Sequence, residues 1–212
     1  MSLLLTFVTS LMLGMRHATD SDHIVAVTAI ATRERSVFKA ARLGALWGLG
    51  HTLTLLLVGG AIIAFRIAFT PRLGLSMEFA VAVMLIVLGL LNLLEIRPRP
   101  IVVTGTRPFL VGVVHGLAGS AAAVLIIVPL IPDPRWAVLY LVVFGLGTVA
   151  GMTLITLSIA APSFLLAARI TGLHRSLRLV SGAVSLVFGL YLAHKIGFAD
   201  GLFTTDPRWR VE

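Results

Sequence analysis

The sequence contains no cysteine. This absence excludes disulfides, thiolate metal sites and iron–sulfur clusters, so any metal ligand must be a nitrogen or an oxygen. Charged residues are also scarce, at 12% of the chain against about 25% in an ordinary soluble domain. With 58% apolar residues, the chain has too few polar groups to cover a water-facing surface. A soluble globular protein is therefore excluded.

Long apolar runs alternate with short polar segments along the chain. A helix of about 20 residues crosses a hydrocarbon core of about 30 Å, and lipid requires every backbone group to be paired internally. We therefore predict an all-α integral membrane protein with six transmembrane helices, forming a single membrane domain over residues 1–212. The predicted spans are residues 2–32, which polar residues interrupt, 43–65, 77–95, 108–131, 136–161 and 177–196.

The formal net charge of +8 is best explained by membrane topology. The basic residues fall mostly between the apolar runs, so we predict no nucleic-acid partner. The first, third and fifth loops together hold ten basic residues, and the opposite side holds six. The positive-inside rule then predicts a multi-pass protein of the cell (inner) membrane with both termini outside.

Three landmarks recur along the chain at nearly constant spacing. Gly14-x-x-His17 returns as Gly112-x-x-His115, the Gly-Leu-Gly at 48–50 returns at 145–147, and VLGLLNLLEI from Val87 returns as VFGLYLAHKI from Val187. The offsets are 98, 97 and 100 residues. Unless this similarity is chance, it predicts two inverted three-helix repeats, about 1–96 and 108–198. Such transporters bind their substrate near the membrane midplane, where the halves meet.

The segment RHATDSDH, Arg16–His23, places five ionisable side chains inside the first predicted span. A charge at the centre of a membrane helix costs about 2.5 to 3.5 kcal/mol, so these groups need partners. Arg16 and Asp20 are spaced to pair on one helical face. On a regular helix His17, Asp20 and His23 form one stripe and Asp22 faces elsewhere. Either Asp22 orients an imidazole, or the helix unwinds near Gly14 so that the side chains converge.

Two further histidines, His51 and His115, lie in apolar segments among glycines, which leave room for close helix approach or for a ligand. Each alone is equally compatible with a hydrogen bond between helices. Imidazole and carboxylate ligands together suit borderline divalent metals such as nickel or cobalt. The predicted metal ligands are His17, Asp20, Asp22, His23, His51 and His115. We expect His174 and His194 to be peripheral, and Asn92 and Glu95 to reach the membrane interface.

RHATDSDHI resembles the signature R-H-A-x-D-A-D-H-I of the nickel/cobalt transporter family, with its H-x4-D-H spacing kept as His17, Asp22 and His23. GLGHT at 48–52 is similar to the LGH motif of that family. HGLAGSAA at 115–122 resembles its shorter urease-accessory and nickel-permease branch. The resemblance implies transport of Ni²⁺ or Co²⁺ and assigns His17, Asp22 and His23 to it. Two acidic motifs of eight-span members are missing, with Thr156 in one of the aspartate positions, so His115 could replace a lost ligand.

The chain has no nucleotide-binding loop of the G-x-x-x-x-G-K-[ST] type, so we expect transport without ATP hydrolysis by this chain. For a dication the membrane potential supplies about 4.6 kcal/mol per 100 mV, which suffices for uptake. We predict a permease without organic cofactor, which releases the ion when its two halves rock. A homo-oligomer or partners in metalloenzyme maturation are compatible with this function. The alternatives are a metal exporter and a membrane-embedded metal-dependent enzyme.

Overall fold

The computed structural model describes residues 3–31, 36–65, 70–95, 106–117, 131, 133–167, 170 and 172–209. Every regular element within these ranges is helical. The helices are α1 (Leu3–His17), α2 (Ser21–Ala31), α3 (Val37–Phe65), α4 (Pro71–Leu93), α5 (Thr106–His115), α6 (Pro134–Ala167) and α7 (Leu173–His194), which continues as a π-helical turn (Lys195–Ala199). The predicted all-α class is confirmed for the described part of the chain.

Four helices are long and apolar enough to cross a membrane, namely α3, α4, α6 and α7. They match the predicted spans 43–65, 77–95, 136–161 and 177–196, and they are compatible with a membrane protein. The fourth predicted span, 108–131, enters α5, but its residues 118–130 lie outside the described residues. The number of six spans and their orientation therefore remain predictions.

The first predicted span is interrupted, but not where the glycine suggested. Gly14 lies inside α1, and the helix ends at His17 in a turn over residues 18–20. The hydroxyl of Thr19 donates to the carbonyl of Arg16 at 2.6 Å, so the side chain competes for a backbone acceptor at this end. α2 then begins at Ser21. The helix is therefore broken, as one of the two alternatives required, but the break follows His17, and Gly14 packs against α6 inside α1.

Glycines bring the backbones of two helix pairs into contact. A Cβ built on Gly14 of α1 would overlap the Phe144 carbonyl of α6, and one on Gly112 of α5 would overlap the Trp47 carbonyl of α3. The reverse contacts also exist, since Gly147 meets Leu11 and Gly50 meets Phe109. The contact of α1 with α6 thus corresponds to the contact of α5 with α3. The contacting residues of α1 and α5 differ by 98 in number, and those of α3 and α6 differ by 97.

α4 and α7 pack together in a reciprocal way. A Cβ on Gly89 would lie 2.6 Å from the amide nitrogen of Leu186, and a Cβ on Gly189 would lie 2.8 Å from that of Ile86. These two contacts are related by the offset of 100 residues. The hydroxyl of Ser185 also donates to the carbonyl of Leu85 at 2.8 Å. Small residues therefore allow close approach in each of the three helix pairs.

Asn92, which the sequence analysis places at the membrane interface, faces the inside of the helix bundle. It is buried, and its amide donates to the carbonyl of Ala29 near the end of α2 at 2.7 Å. Glu95 is exposed and pairs with Arg178 at the start of α7. Asn92 thus donates to a backbone carbonyl of α2 inside the bundle. This hydrogen bond holds α2 against α4.

Candidate metal centre

Four imidazoles and one carboxylate converge inside the bundle from four different helices. His17 is the last residue of α1, Asp22 and His23 lie in the first turn of α2, His51 is the midpoint of α3, and His115 is the last residue of α5. The turn over residues 18–20 makes this possible because it interrupts the regular helical repeat between His17 and Asp22. Side chains that a single helix would hold on different faces meet in one place.

On one side of the cluster, two ring nitrogens face each other. His17 Nε2 lies 3.1 Å from His51 Nε2, and both rings are buried. Nitrogens that bind one metal at about 2.1 Å and at right angles are about 3.0 Å apart. The spacing of these two nitrogens therefore fits neighbouring ligands of one ion as well as a hydrogen bond.

On the other side, Asp22 contacts two histidines through its two oxygens. Oδ1 accepts hydrogen bonds from the backbone N–H of His23 at 3.0 Å and lies 3.1 Å from its Nδ1. Oδ2 lies 3.0 Å from His115 Nε2. The carboxylate thus connects α2 with α5 and supplies the negative charge of the cluster.

Three buried ring nitrogens of the cluster have no hydrogen-bond partner among the described residues: His23 Nε2, His51 Nδ1 and His115 Nδ1. Their side chains are fully buried. A buried polar group without a partner costs about 1 to 3 kcal/mol. A bound cation would give Nε2 of His23 such a partner, and the imidazoles together with Asp22 suit a divalent transition metal.

Asp20 takes a different place from the other predicted ligands. Its side chain is 42% exposed, and its Oδ2 lies 2.9 Å from His17 Nδ1, the ring nitrogen opposite the one that faces His51. A carboxylate behind a ligating imidazole fixes its tautomer and orientation. Asp20 therefore contacts a candidate ligand rather than the centre of the cluster. No ion pair joins Asp20 to Arg16 in the described structure, so that expected pair is not formed.

The ligand atoms form two overlapping groups, in each of which they lie within 4.8 Å of one another. We call them the histidine group, consisting of His17, His23 and His51, and the aspartate group, consisting of Asp22, His23 and His115. His23 belongs to both. Each group has three ligands, a common number where a site leaves positions open for water or an exchanging ligand.

Two aromatic residues that the sequence analysis did not single out line the cluster. Trp47 lies 5.6 Å from His23 and 5.4 Å from His115, and Phe144 lies 5.5 Å from His17, measured between ring centroids. They occupy corresponding places at the offset of 97 residues. The repeat was thus the signal that could have identified them. Apolar rings around the ligands exclude water and strengthen electrostatic contacts inside.

Over most of its length, the chain is similar to a curated bacterial protein. It is 32% identical over 209 residues to the urease accessory protein UreH of Bacillus sp. (strain TB-90), covering 90% of this chain and 91% of that protein. The chain belongs to the UreH family. The chloroplast protein FOR GROWTH AND FERTILITY 2 of Arabidopsis thaliana is 26% identical over 205 residues, 86% of this chain and 54% of that protein. No family model and no solved structure matches the chain.

In this UreH-family chain, all six predicted ligands lie in or beside the cluster, five of them in the two groups and Asp20 behind His17. His174 and His194 are in neither group, as the sequence suggested. Thr156 is buried in α6, where its hydroxyl donates to the carbonyl of Met152 at 2.6 Å. α5 contributes His115, whose Nε2 lies 3.0 Å from Asp22 Oδ2, as a candidate ligand.

Proposed function

We propose that this protein is a membrane permease for Ni²⁺ or Co²⁺, with the buried cluster of four imidazoles and Asp22 as its substrate site. The cluster itself carries the proposal. Four histidines converging on a carboxylate exceed what helix association requires, and three of their nitrogens lack partners among the described residues. The UreH relative is named for an accessory role to urease, a nickel enzyme, which supports nickel as the substrate.

The position of the cluster supports transport across the membrane. His51 is the midpoint of α3, one of the helices long enough to span. The site would therefore lie near the membrane midplane, where transporters with inverted repeats bind their substrates. The reciprocal glycine contacts support two such repeats, about 1–96 and 108–198. His115 would then be the ligand of the second repeat, and the other ligands would come from the first.

The membrane potential favours uptake by a permease of this kind. A dication entering the cell gains about 4.6 kcal/mol per 100 mV, about three decades of accumulation. Nitrogen and oxygen ligands without thiolate can release a borderline ion again. We propose that both termini face outside, that the chain needs no organic cofactor, and that it hands nickel to metalloenzyme maturation in the cell.

The test is uptake of ⁶³Ni²⁺ by cells that express the wild type, His17→Ala or His194→Ala at equal membrane levels. His194 is a matched control because it is a histidine at the end of α7, where its ring contacts Phe198 rather than the cluster. We expect accumulation by the wild type and by His194→Ala and its loss in His17→Ala. Equal accumulation in all three strains would overturn the proposal.

The same assay distinguishes uptake from export and nickel from other metals. Cells preloaded with ⁶³Ni²⁺ should not lose it faster when they express the wild type. Faster loss would indicate an exporter. Excess Co²⁺ should compete with nickel more strongly than Mn²⁺, because Mn²⁺ stands lower in the affinity order for nitrogen and oxygen ligands.

A further inference from the structure

We propose that the cluster holds a single divalent ion in two alternative positions, one in the histidine group and one in the aspartate group, and that the ion passes between them at His23. This inference rests on the proposed function, since it describes how the same site would move its substrate. It goes further in assigning different ligands to two steps of one passage.

Distances within the cluster argue against one position for all ligands. Ligands on opposite sides of an ion, each at about 2.1 Å, are at most about 4.2 Å apart. Among the described residues, the ligand atoms that lie within 4.8 Å of one another form the histidine group and the aspartate group, and neither group contains both His51 and His115. Without rearrangement, one ion therefore reaches one group or the other, and the groups share only His23.

His23 is placed to serve both positions. Its ring centroid is 4.6 Å from that of His17 and 4.1 Å from that of His115. Nδ1 faces Asp22, and Nε2 is fully buried without a partner among the described residues. An ion that moves between the groups keeps this ligand while it exchanges the other two. It is therefore never without a protein ligand on the way.

Each position of the ion has one carboxylate. One carboxylate is a candidate ligand itself, and the other contacts a candidate ligand. Asp22 is itself a member of the aspartate group, and Asp20 stands behind His17 of the histidine group at 2.9 Å. A carboxylate behind an imidazole raises its basicity as a ligand. The two positions are thereby brought closer in affinity, and passage through a pore requires binding sites that are multiple and individually weak.

The test uses the full-length protein purified in detergent, with nickel titrated by calorimetry and the ligands of bound nickel counted by X-ray absorption. His51→Ala leaves the aspartate group complete, and His115→Ala leaves the histidine group complete. We expect the wild type and both variants to bind one nickel per chain, with Kd raised no more than about 100-fold in the variants. Bound nickel should have up to three imidazoles in His115→Ala and no more than two in His51→Ala.

His23→Ala should abolish stoichiometric binding because it removes a ligand from both groups. In cells, both single variants should lose ⁶³Ni²⁺ uptake although each still binds the ion. His51→Gln and His115→Gln, which keep more of the side-chain volume, replace any alanine variant that fails to elute as a folded monodisperse species.

Several results would overturn the two positions while leaving the permease intact. They are the loss of nickel binding in a folded His51 or His115 variant, the binding of two ions by the wild type, and wild-type uptake by either variant. If the folded wild type binds no nickel at all, the proposed function fails instead. The two failures are thus separable.

Discussion

A methyl group added at Gly112 tests whether close helix contact sets the geometry of the proposed metal centre. Gly112 lies on α5 one turn before His115, against the carbonyl of Trp47 and 3.0 Å, measured from a built Cβ, from the amide nitrogen of His51. In Gly112→Ala the Cβ would overlap that carbonyl. Both neighbouring atoms are backbone, so no side-chain rotation can relieve the overlap. α5 must move away from α3.

The expected size of the effect follows from the contact distances. A close carbon–oxygen contact needs about 3.3 to 3.6 Å, so the helices must separate by about 1.3 to 1.6 Å. Metal ligands tolerate only about 0.2 Å, so His115 would leave its place beside Asp22. Overpacking costs about 1 to 3 kcal/mol. If this cost lowers the free energy of nickel binding by the same amount, Kd for nickel rises about 5- to 150-fold.

Calorimetric titration of the purified variant with Ni²⁺ measures this change. Gly60→Ala is the matched control, since Gly60 lies in α3 and a Cβ built there has no heavy atom within 4 Å. It should bind nickel as the wild type does. Unchanged affinity in a folded Gly112→Ala protein would refute the reasoning, because the centre would then not depend on the separation of α3 and α5.

Three further results are expected. Asp20→Asn, which removes the charge behind His17, should weaken nickel binding about 10- to 100-fold in calorimetry, while the exposed Asp206→Asn should not; equal affinities would exclude a role for Asp20. Acidification from pH 7 to 5 should release bound ⁶³Ni²⁺ reversibly, because protonated histidine cannot bind a metal, and full retention would contradict imidazole ligation. Trp209→Phe removes a hydrogen bond of 2.8 Å to Glu78, and should lower the free energy of unfolding by about 1 to 3 kcal/mol in thermal denaturation while uptake persists; lost uptake would place this contact in the transport route.

The candidate ligands could be predicted from the sequence because ionisable residues inside an apolar run carry a large free-energy cost, and the sequence alone shows where they lie. Ionisable residues such as His17, Asp22 and His23 inside an apolar run need compensation, whatever the tertiary structure. Their angular positions also showed that one regular helix cannot gather them. The sequence did not reveal where the helix breaks, because Gly14 is equally suited to unwinding and to close packing. The contact of Gly14 with α6 in the structure shows that this glycine serves close packing.

Residues whose role depends on a distant partner could not be predicted in the same way. Asn92 resembles an interfacial residue when only its neighbours in the chain are considered, and its acceptor, Ala29, is 63 residues away. Trp47 and Phe144 are ordinary apolar residues in apolar helices. They become part of the centre only because α3 and α6 bring them against the histidines. Such roles follow from tertiary packing, which local patterns do not contain.

The close helix contacts also bear on how an ion could leave the site. In the proposed arrangement of two repeats, the pairs α1 with α6, α3 with α5 and α4 with α7 each join one half to the other. Backbones meet at glycines in all three pairs. Rocking of rigid halves, which an inverted repeat suggests, would break these contacts together, and close-packed interfaces resist such deformation. Rotation of an imidazole such as His23 breaks none of them. The packing thus favours a mechanism in which the helices stay fixed and the ion changes its ligands. It disfavours a mechanism in which the two halves rock against each other.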